Sequence, residues 1–308
     1  MIPPNLAPIH VPFEEWISPH SSENLSKIRL FAERHKLYNL VNISSQRTLQ
    51  AHSLVNDYMF PRGDPDKLYV TGLFMAYFFL FDYIYDVDSE SPEISALRQG
   101  LSEEIPLLLE GQEPKDASPF GVALIEILSH IVGTDPAWRL AFLSELTKYV
   151  QDSVRSKELA PDSEKISIER YLKIRQRDSG VWWSAYLIEY ANNHYLSESE
   201  HRSPEIQNLT RLSACCCSLL NDLFSYEKEK RTEKFPFNAI YIYIQNEHLS
   251  ESQAYEKTIA YTNTLIHEFL DNASAMPSRT DTRVASYIQG LREFISCAWY
   301  WHYKCGLY

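Results

Sequence analysis

The spacing of proline is the feature of this sequence that most limits its fold. The chain contains 16 prolines, which cluster in short stretches and leave long proline-free windows. Because proline is poorly tolerated inside helices, such windows favour helix formation. Notable windows are residues 20–60, 162–203, 205–235 and 237–276. With only 9 glycines and no useful run of alternating apolar residues, the sequence predicts a nearly all-α fold.

Capping residues and apolar spacing predict the individual helices. Asp64-Pro65 begins a helix that runs to Asp86, and Ser167 and Ser203-Pro204 begin two others. Asp178-Ser179-Gly180 interrupts an apolar pattern and predicts a break between two helices. Further helices are predicted at about residues 23–36, 43–58, 120–133, 136–158, 238–247, 251–274 and 281–304. Residues 89–120 are predicted as loop and short helix, and residues 1–22 as an irregular arm.

Composition narrows the class of protein. The 29 basic and 41 acidic residues give a net charge of −12, which argues against a nucleic-acid-binding surface. No apolar run is expected to reach the length of a membrane span, and no basic segment leads into an apolar one at the N-terminus. The spacing of the five cysteines fits neither a metal site nor disulfides, which favours reduced core residues and a cytoplasmic protein. With no repeat or linker, residues 1–308 are expected to form one domain; the oligomeric state, with a homodimer as one alternative, stays open.

Two carboxylates end an aromatic run. Asp82 and Asp86 close the apolar part of Phe78–Asp88, and on a helix their spacing makes them neighbours on one face. Paired carboxylates repel unless a cation lies between them, and their hard oxygens suit Mg²⁺. A solvated helix end is the alternative interpretation, and it is preferred for Asp88 and Glu90.

A second row of oxygen-bearing side chains lies far along the chain. Asn221, Ser225 and Glu229 follow one another at intervals of four residues, a row about 12 Å long on a helix. An amide oxygen, a hydroxyl and a carboxylate can supply three oxygens to one hard cation. Cys217 and Ala214 precede the row on the same face and leave room beside it because they are small.

Together these stretches resemble the class I terpene synthases, specifically the short microbial type that has only the catalytic α domain. Asn221, Asp222, Ser225 and Glu229 fit the family's motif (N/D)D-x-x-(S/T)-x-x-x-E, with its common lysine at Lys228. Phe78–Asp86 resembles the aspartate-rich motif. The resemblance covers most of the chain and implies a helical bundle around a central apolar cavity.

The resemblance also implies roles near the predicted helix break. Arg175 stands at the family's offset for a diphosphate-sensing arginine, with Arg177 as the competing candidate. Asp178 and Ser179 match the linker and effector positions, where backbone carbonyl dipoles would lie near a nascent carbocation.

Two departures from the family pattern affect the site. The second acid of the aspartate-rich motif is replaced by Tyr83, whose role the sequence leaves open. The usual C-terminal Arg-Tyr pair reads His302-Tyr303. Tyr303 can still donate a hydrogen bond, whereas a neutral histidine would leave diphosphate binding weaker or dependent on Lys304.

The implied activity is that of a lyase that ionises a linear prenyl diphosphate with Mg²⁺, three ions being expected from the family, and cyclises the carbocation to a terpene hydrocarbon or alcohol. Farnesyl diphosphate is the favoured substrate and geranylgeranyl diphosphate the next. The implied metal ligands are Asp82, Asp86, Asn221, Ser225 and Glu229. The implied diphosphate-binding or catalytic residues are Arg175, Asp178, Ser179, Lys228 and Tyr303. The candidate pocket residues are Met75, Phe78, Phe79, Trp182, Trp183, Ala214, Cys217 and Trp299.

The aromatic candidates would attract a cation without attacking it. Trp182 and Trp183 cannot both face the pocket, since neighbours on a helix diverge by about 100°. Two alternatives remain open: a chain-elongating prenyl diphosphate synthase, which the second motif disfavours, and a non-catalytic or degenerate isoprenoid-binding protein, which Tyr83 and His302 favour.

Overall fold

The computed structural model describes residues 9–37, 45–86, 91–112, 114–159, 165–233, 235–276 and 281–305. Within these ranges the chain forms thirteen helices and no strand, so the all-α prediction is confirmed. The helices are α1 Ser21–Arg34, α2 Ser45–Met59, α3 Pro65–Asp86, α4 Pro92–Leu109, α5 Pro119–Ser129, α6 Pro136–Leu159, α7 Ile168–Asp178, α8 Val181–Asn192, α9 Glu198–His201, α10 Pro204–Thr232, α11 Ala239–Glu247, α12 Glu251–Ala275 and α13 Thr282–Cys305.

Serine caps explain where several helices begin. The side chains of Ser167 and Ser203 accept hydrogen bonds from the backbone N–H groups of Arg170 and Ile206, as predicted for the starts of α7 and α10. In α10 the cap is followed by Pro204, whose missing N–H is not needed at the first helical position.

The prediction for residues 89–120 is wrong over most of its length. Residues Pro92–Leu109 form the 18-residue helix α4, in which Pro92 follows the capping Ser91 and Pro106 lies in the last turn. Pro106 removes one backbone hydrogen bond, but apolar side chains on either side of it are buried and α4 packs against α5 and α6. Burial of α4 in the tertiary structure therefore outweighs the local tendency of proline to interrupt a helix.

The longest helices pack around one another in the interior. Helix α10 contacts α7, α8, α12 and α13, and α13 also contacts α2 and α8. Helix α3 crosses this group through contacts with α2, α6 and α8. The described helices thereby bring the ends of α3, α7 and α10, where the predicted site residues lie, into one region.

Helix α3 is apolar on nearly all sides. Among the described residues, its segment Pro65–Tyr85 is the one stretch long and apolar enough to cross a membrane, which the sequence interpretation did not expect. Its most apolar window is 72% buried inside the structure, however. A helix that is apolar all round is also what the centre of a large core requires.

The described part of the predicted arm lies against α2 and α13. The Ser296 hydroxyl donates to the carbonyl oxygen of Glu14 at 2.8 Å, and the Tyr300 hydroxyl donates to that of Phe13 at 3.2 Å. The backbone N–H of Ser18 donates to the carbonyl oxygen of Asp57 at 2.9 Å. Residues 1–8 of the predicted arm lie outside the described residues.

Candidate active site

The break between α7 and α8 opens onto an internal cavity. Gly180 adopts a left-handed conformation with φ 76°, and a side chain there would be strained and would approach Trp183 Nε1 to 3.2 Å. Ser179 donates to the carbonyl oxygen of Gln176 at 3.0 Å and accepts from the backbone N–H of Val181 at 3.3 Å. Asp178, Ser179 and Gly180 consequently all line the cavity.

The cavity has a volume of about 460 Å³, within the range of about 300–1,000 Å³ usual for small-molecule sites. Much of its wall is apolar and aromatic. These lining residues include Val55, Met59, Met75, Phe78, Phe79, Val181, Trp183, Phe237, Phe294, Ala298 and Trp301. Exposed Lys228 and Thr232 also line it, so the cavity opens to solvent beside the C-terminal part of α10.

Oxygen-bearing side chains from two helices meet at this cavity. Asp82 comes from α3, and Asn221, Ser225 and Glu229 come from successive turns of α10. Ser225 is buried, and its hydroxyl has no hydrogen-bond partner among the described residues. A buried hydroxyl without a partner is costly, so this atom is suited to a ligand or an ion.

The donor types fit a hard cation. Carboxylate, amide and hydroxyl oxygens are the ligands that Mg²⁺ accepts, while His and Cys sites favour softer metals. The described residues contain no cluster of three or more His, Cys, Asp or Glu side chains suited to a metal. The side chain of Asp86, and all of Asp88 and Glu90, fall outside what the structure describes.

Arg175 joins the break to the row on α10. Its Nη2 donates to Asn221 Oδ1 at 2.8 Å, its Nη1 donates to Asp178 Oδ1 at 3.1 Å, and its Nε lies 3.6 Å from Asp222 Oδ1. Burial disfavours the charged guanidinium, but the carboxylates of Asp178 and Asp222 outweigh it and hold the pKa of Arg175 well above its usual value. Arg175 therefore keeps a fixed positive charge at the cavity wall.

Arg177, the competing candidate, faces elsewhere. Its Nη2 lies 3.0 Å from Glu145 Oε2, its Nε lies 3.5 Å from Asp152 Oδ2, and its guanidinium covers the Trp182 ring at 5.0 Å. Arg177 is not among the cavity-lining residues.

Asp222 is a buried carboxylate next to Asn221 on α10. It does not line the cavity; it accepts hydrogen bonds from the Tyr171 hydroxyl and, at 3.0 Å, from the backbone N–H of Ala239. Burial raises the pKa of Asp222 to about 7 despite the opposing charge of Arg175. Asp222 thus links Arg175 to the start of α11.

Asn238 holds Glu229 in place. Its Nδ2 donates to Glu229 Oε2 at 2.9 Å and to the carbonyl oxygen of Asp222 at 3.0 Å. Its Oδ1 accepts from the backbone N–H of Ile240 and caps α11. The sequence interpretation identified the start of α11 but not this contact.

Tyr149 on α6 is a site residue that the sequence interpretation missed. It lines the cavity and its hydroxyl is hydrogen-bonded to Asp82. Burial, reinforced by the Asp82 charge, raises the pKa of the Tyr149 phenol well above its usual value, so the phenol keeps its proton and donates. No motif marks Tyr149; only the packing of α6 beside α3 reveals it.

At the C-terminal end of α13 the predicted donors are placed differently from expectation. His302 lines the cavity, whereas Tyr303 does not. The Lys304 ammonium contacts the carboxylate of Glu15 on the arm instead of the cavity. His302 is buried, which lowers its pKa to about 4 and leaves the imidazole neutral at pH 7.

Five of the predicted pocket residues line the cavity and three do not. Met75, Phe78, Phe79, Trp183 and Cys217 line it. The prediction is wrong for Trp182, Ala214 and Trp299. Trp182 turns outward against Arg177, and Trp299 packs on Phe224 with ring centroids 5.4 Å apart. Ala214 is fully buried in the core on the turn before Cys217.

Comparison with known proteins gives a consistent result. A family model described as "Terpene synthase family 2, C-terminal metal binding" matches residues 73–268, more than half of the chain. (−)-α-Amorphene synthase of Streptomyces viridochromogenes is 24% identical over 299 residues, 96% of this chain and 86% of that protein. 4-Epi-cubebol synthase of Streptosporangium roseum is 23% identical over 302 residues, with 96% and 89% covered.

Some relatives are matched over less than half of their own length. Ophiobolin F synthase oblA of Cochliobolus heterostrophus is 24% identical over 251 residues, and the match spans 80% of this chain but only 34% of that protein. For sesquiterpene synthase 3 of Postia placenta the match spans 48% of the relative.

Solved structures show the same fold. Hedycaryol synthase in complex with HEPES superimposes with a TM-score of 0.82 at 23% identity and covers 99% of both chains. α-Eudesmol synthase superimposes with a TM-score of 0.83 at 18% identity and covers 96% of this chain and 99% of its own. At these identities the likeness concerns the arrangement of helices.

Proposed function

Since the chain belongs to the terpene synthases, we propose that it is a terpene cyclase of the lyase class, which ionises a linear prenyl diphosphate in a Mg²⁺-dependent reaction and cyclises the carbocation. Farnesyl diphosphate is the favoured substrate, with geranylgeranyl diphosphate next, and the product is a terpene hydrocarbon or alcohol. Two relatives that match nearly the whole chain are described as farnesyl diphosphate cyclizing, which supports the shorter substrate. The observation that carries the proposal is the meeting of Asp82 with the α10 row at a largely apolar cavity.

The metal ligands in this proposal are Asp82, Asp86, Asn221, Ser225 and Glu229, with three Mg²⁺ ions expected from the family. The support is the set of hard oxygens and the unpartnered Ser225 hydroxyl. When bound, Mg²⁺ would supply positive charge that stabilises the departing diphosphate.

Arg175 and Lys228 provide the protein's own positive charge for the leaving group. Both line the cavity, and the contacts of Arg175 with Asp178 and Asp222 hold its guanidinium in one orientation. Donors fixed before the reaction stabilise charge as it develops, without a cost of reorganisation. Tyr303 does not line the cavity, so we do not assign it this role.

The cavity wall protects the carbocation. Phe78, Phe79 and Trp183 line the cavity, and the faces of aromatic rings attract a cation without attacking it as a nucleophile would. Cys217 also lines the cavity, but burial raises its pKa to about 12, so the reactive thiolate is absent at neutral pH. Asp178 and Ser179 at the helix break line the same cavity, and in this proposal their backbone carbonyl dipoles would lie near the nascent carbocation.

We further propose that residues 1–308 make up one catalytic α domain located in the cytoplasm. In support, one hydrophobic core contains side chains from Phe13 to Cys305. All five cysteines are described, and all are free thiols, as suits a reducing compartment.

The experiment that tests the function is incubation of the pure protein with Mg²⁺ and either farnesyl or geranylgeranyl diphosphate, with and without isopentenyl diphosphate. Hexane extracts are analysed by gas chromatography and mass spectrometry. Volatile cyclic products with one substrate support the cyclase and identify the chain length. Longer diphosphates indicate an elongating synthase, and binding without products indicates an isoprenoid-binding protein.

A further inference from the structure

His302 stands where the family pattern has an arginine, and its hydrogen bonds differ from those an arginine could make. Its Nδ1 contacts the carbonyl oxygen of Ala298 one turn earlier, and its Nε2 lies 2.9 Å from Asn221 Nδ2. The Phe224 ring stacks on the imidazole with centroids 5.5 Å apart and an interplanar angle of 14°. The ring is thus held in one plane, with one nitrogen on its own helix and the other on α10.

The donor and acceptor roles in this chain of contacts follow from the chemistry of its ends. A guanidinium only donates, so the Asn221 atom 2.8 Å from Arg175 Nη2 is the amide oxygen. The amide nitrogen therefore faces His302, and because an amide NH₂ only donates, Nε2 of His302 accepts. The imidazole proton then resides on Nδ1, where the Ala298 carbonyl is available to accept it. Each assignment agrees with the others.

We propose that His302 is a positioning residue for Asn221: by accepting from the amide nitrogen, it turns the amide oxygen toward Arg175 and the cavity. An arginine at position 302 has no acceptor and would face the amide nitrogen with a second donor. His302 accordingly has no ring N–H directed at Asn221 or free of the Ala298 contact to offer a diphosphate. The consequence for metal binding rests on the function proposed above.

The first test concerns the apo protein and is independent of catalysis. Long-range ¹H–¹⁵N spectra of ¹⁵N-histidine-labelled protein report which ring nitrogen carries the proton, and the His302 signals are assigned by their loss in His302→Gln. We expect the proton on Nδ1 in the wild type. A proton on Nε2 overturns the proposal whether or not the protein is a cyclase.

The second test compares two substitutions by thermal shift. The quantity measured is the Mg²⁺ concentration that gives half of the rise in Tm produced by Mg²⁺ together with inorganic diphosphate. His302→Leu removes the acceptor, and we expect this concentration to rise about 3- to 10-fold, as loss of one hydrogen bond predicts. His302→Gln retains an acceptor oxygen, so its half-maximal Mg²⁺ concentration should stay close to that of the wild type. A merely structural role would lower Tm in both without this ordering.

Asn221→Ala provides the reciprocal control. Alanine has no amide for His302 to orient, so in this background His302→Leu should cause no further rise in the Mg²⁺ concentration, and the two substitutions should be non-additive. Additive effects would overturn the proposal. If the wild type shows no response to Mg²⁺ and diphosphate, the proposed function is overturned, and so is the effect of His302 on metal binding. The tautomer measurement would still decide, independently, whether His302 accepts from Asn221.

Discussion

Arg175 Nη2 donates to Asn221 Oδ1 at 2.8 Å, which connects the C-terminal end of α7 to the row of oxygen-bearing side chains on α10. The planar guanidinium also contacts Asp178 and lies near Asp222, an arrangement that a single ammonium cannot reproduce. We therefore expect Arg175→Lys to lower kcat for product formation by about 10²-fold, the usual effect of removing a fixed donor to developing charge. Product formation by gas chromatography, with circular dichroism to check folding, measures this.

Arg177→Lys is the matched control. Arg177 lies two residues on and pairs with Glu145 and Asp152 away from the cavity. Its substitution should leave kcat within about twofold and act mainly on stability, since partly exposed ion pairs contribute about 0–1 kcal/mol. Equal losses in the two variants would contradict the assignment of Arg175.

The oxygens of the proposed metal site can be tested singly. Asp82→Asn and Glu229→Gln each replace one carboxylate oxygen with an amide nitrogen and leave the size of the side chain nearly unchanged. Both should abolish detectable turnover while the helical circular dichroism spectrum is retained. Glu227→Gln, on the exposed side of α10 where Glu227 pairs with Lys230, should keep wild-type turnover. Wild-type product levels in Asp82→Asn or Glu229→Gln would count against this site.

Much of the fold follows from local rules. The serine caps at 167 and 203, the break at Gly180 and the helix from Pro65 to Asp86 depend on backbone chemistry within a few residues, and they occur as predicted. Helix α4 was missed because its proline-containing sequence is stabilised by packing on α5 and α6, and that packing cannot be inferred from local spacing.

The candidate site likewise contains some features that local sequence predicts and others that depend on tertiary packing. The row of Asn221, Ser225 and Glu229 is set by helix geometry alone, so its common face could be predicted. Tyr149 contacts Asp82 only because α6 packs beside α3, and no local pattern reports that contact. The choice between adjacent helix positions, such as His302 and Tyr303, depends on how the whole helix is rotated in the core.

The hydrogen bond from the Tyr149 hydroxyl to Asp82 can be tested by substitution. Tyr149→Phe removes the hydroxyl that donates to the carboxylate and keeps the aromatic ring in the cavity wall. We expect the Mg²⁺ concentration for half-maximal turnover to rise about 3- to 10-fold, with a smaller change in kcat at saturating Mg²⁺. Tyr77→Phe is the control, because the buried Tyr77 hydroxyl lacks a hydrogen-bond partner among the described residues and lies outside the cavity lining. An equal rise in that control would refute a specific role.

Trp182 and Trp183 are adjacent on α8, but only Trp183 lines the cavity. Trp183 lines the cavity and lies 5.3 Å from Phe78 between ring centroids, whereas Trp182 faces Arg177. Trp183→Phe enlarges the cavity, so we expect the proportions of the products to change and Tm to fall. Trp182→Phe should leave the proportions unchanged. Gas chromatography of both variants decides the matter, and an altered product ratio in Trp182→Phe alone would reverse the assignment.

Glu293 on α13 should make stability depend on pH. Its carboxyl is buried, with Arg62 as a half-exposed partner, and burial raises its pKa from the usual 4.5 to about 7 against the charge of Arg62. Between pH 4.5 and 7 the folded state holds a proton that the unfolded state releases, so stability falls as pH rises through this window.

A glutamine side chain cannot ionise, so Glu293→Gln should gain stability relative to the wild type as pH rises from about 5 to about 8. At about 1.36 kcal/mol per pKa unit, the gain is at most about 3 kcal/mol. Thermal melts at both pH values measure it. Glu198→Gln is the control, because Glu198 is an exposed carboxylate paired with exposed Arg202 and should show little such change. A wild type whose stability advantage over Glu293→Gln grows with pH would mean that Glu293 is charged in the folded protein and that Arg62, rather than burial, governs its ionisation.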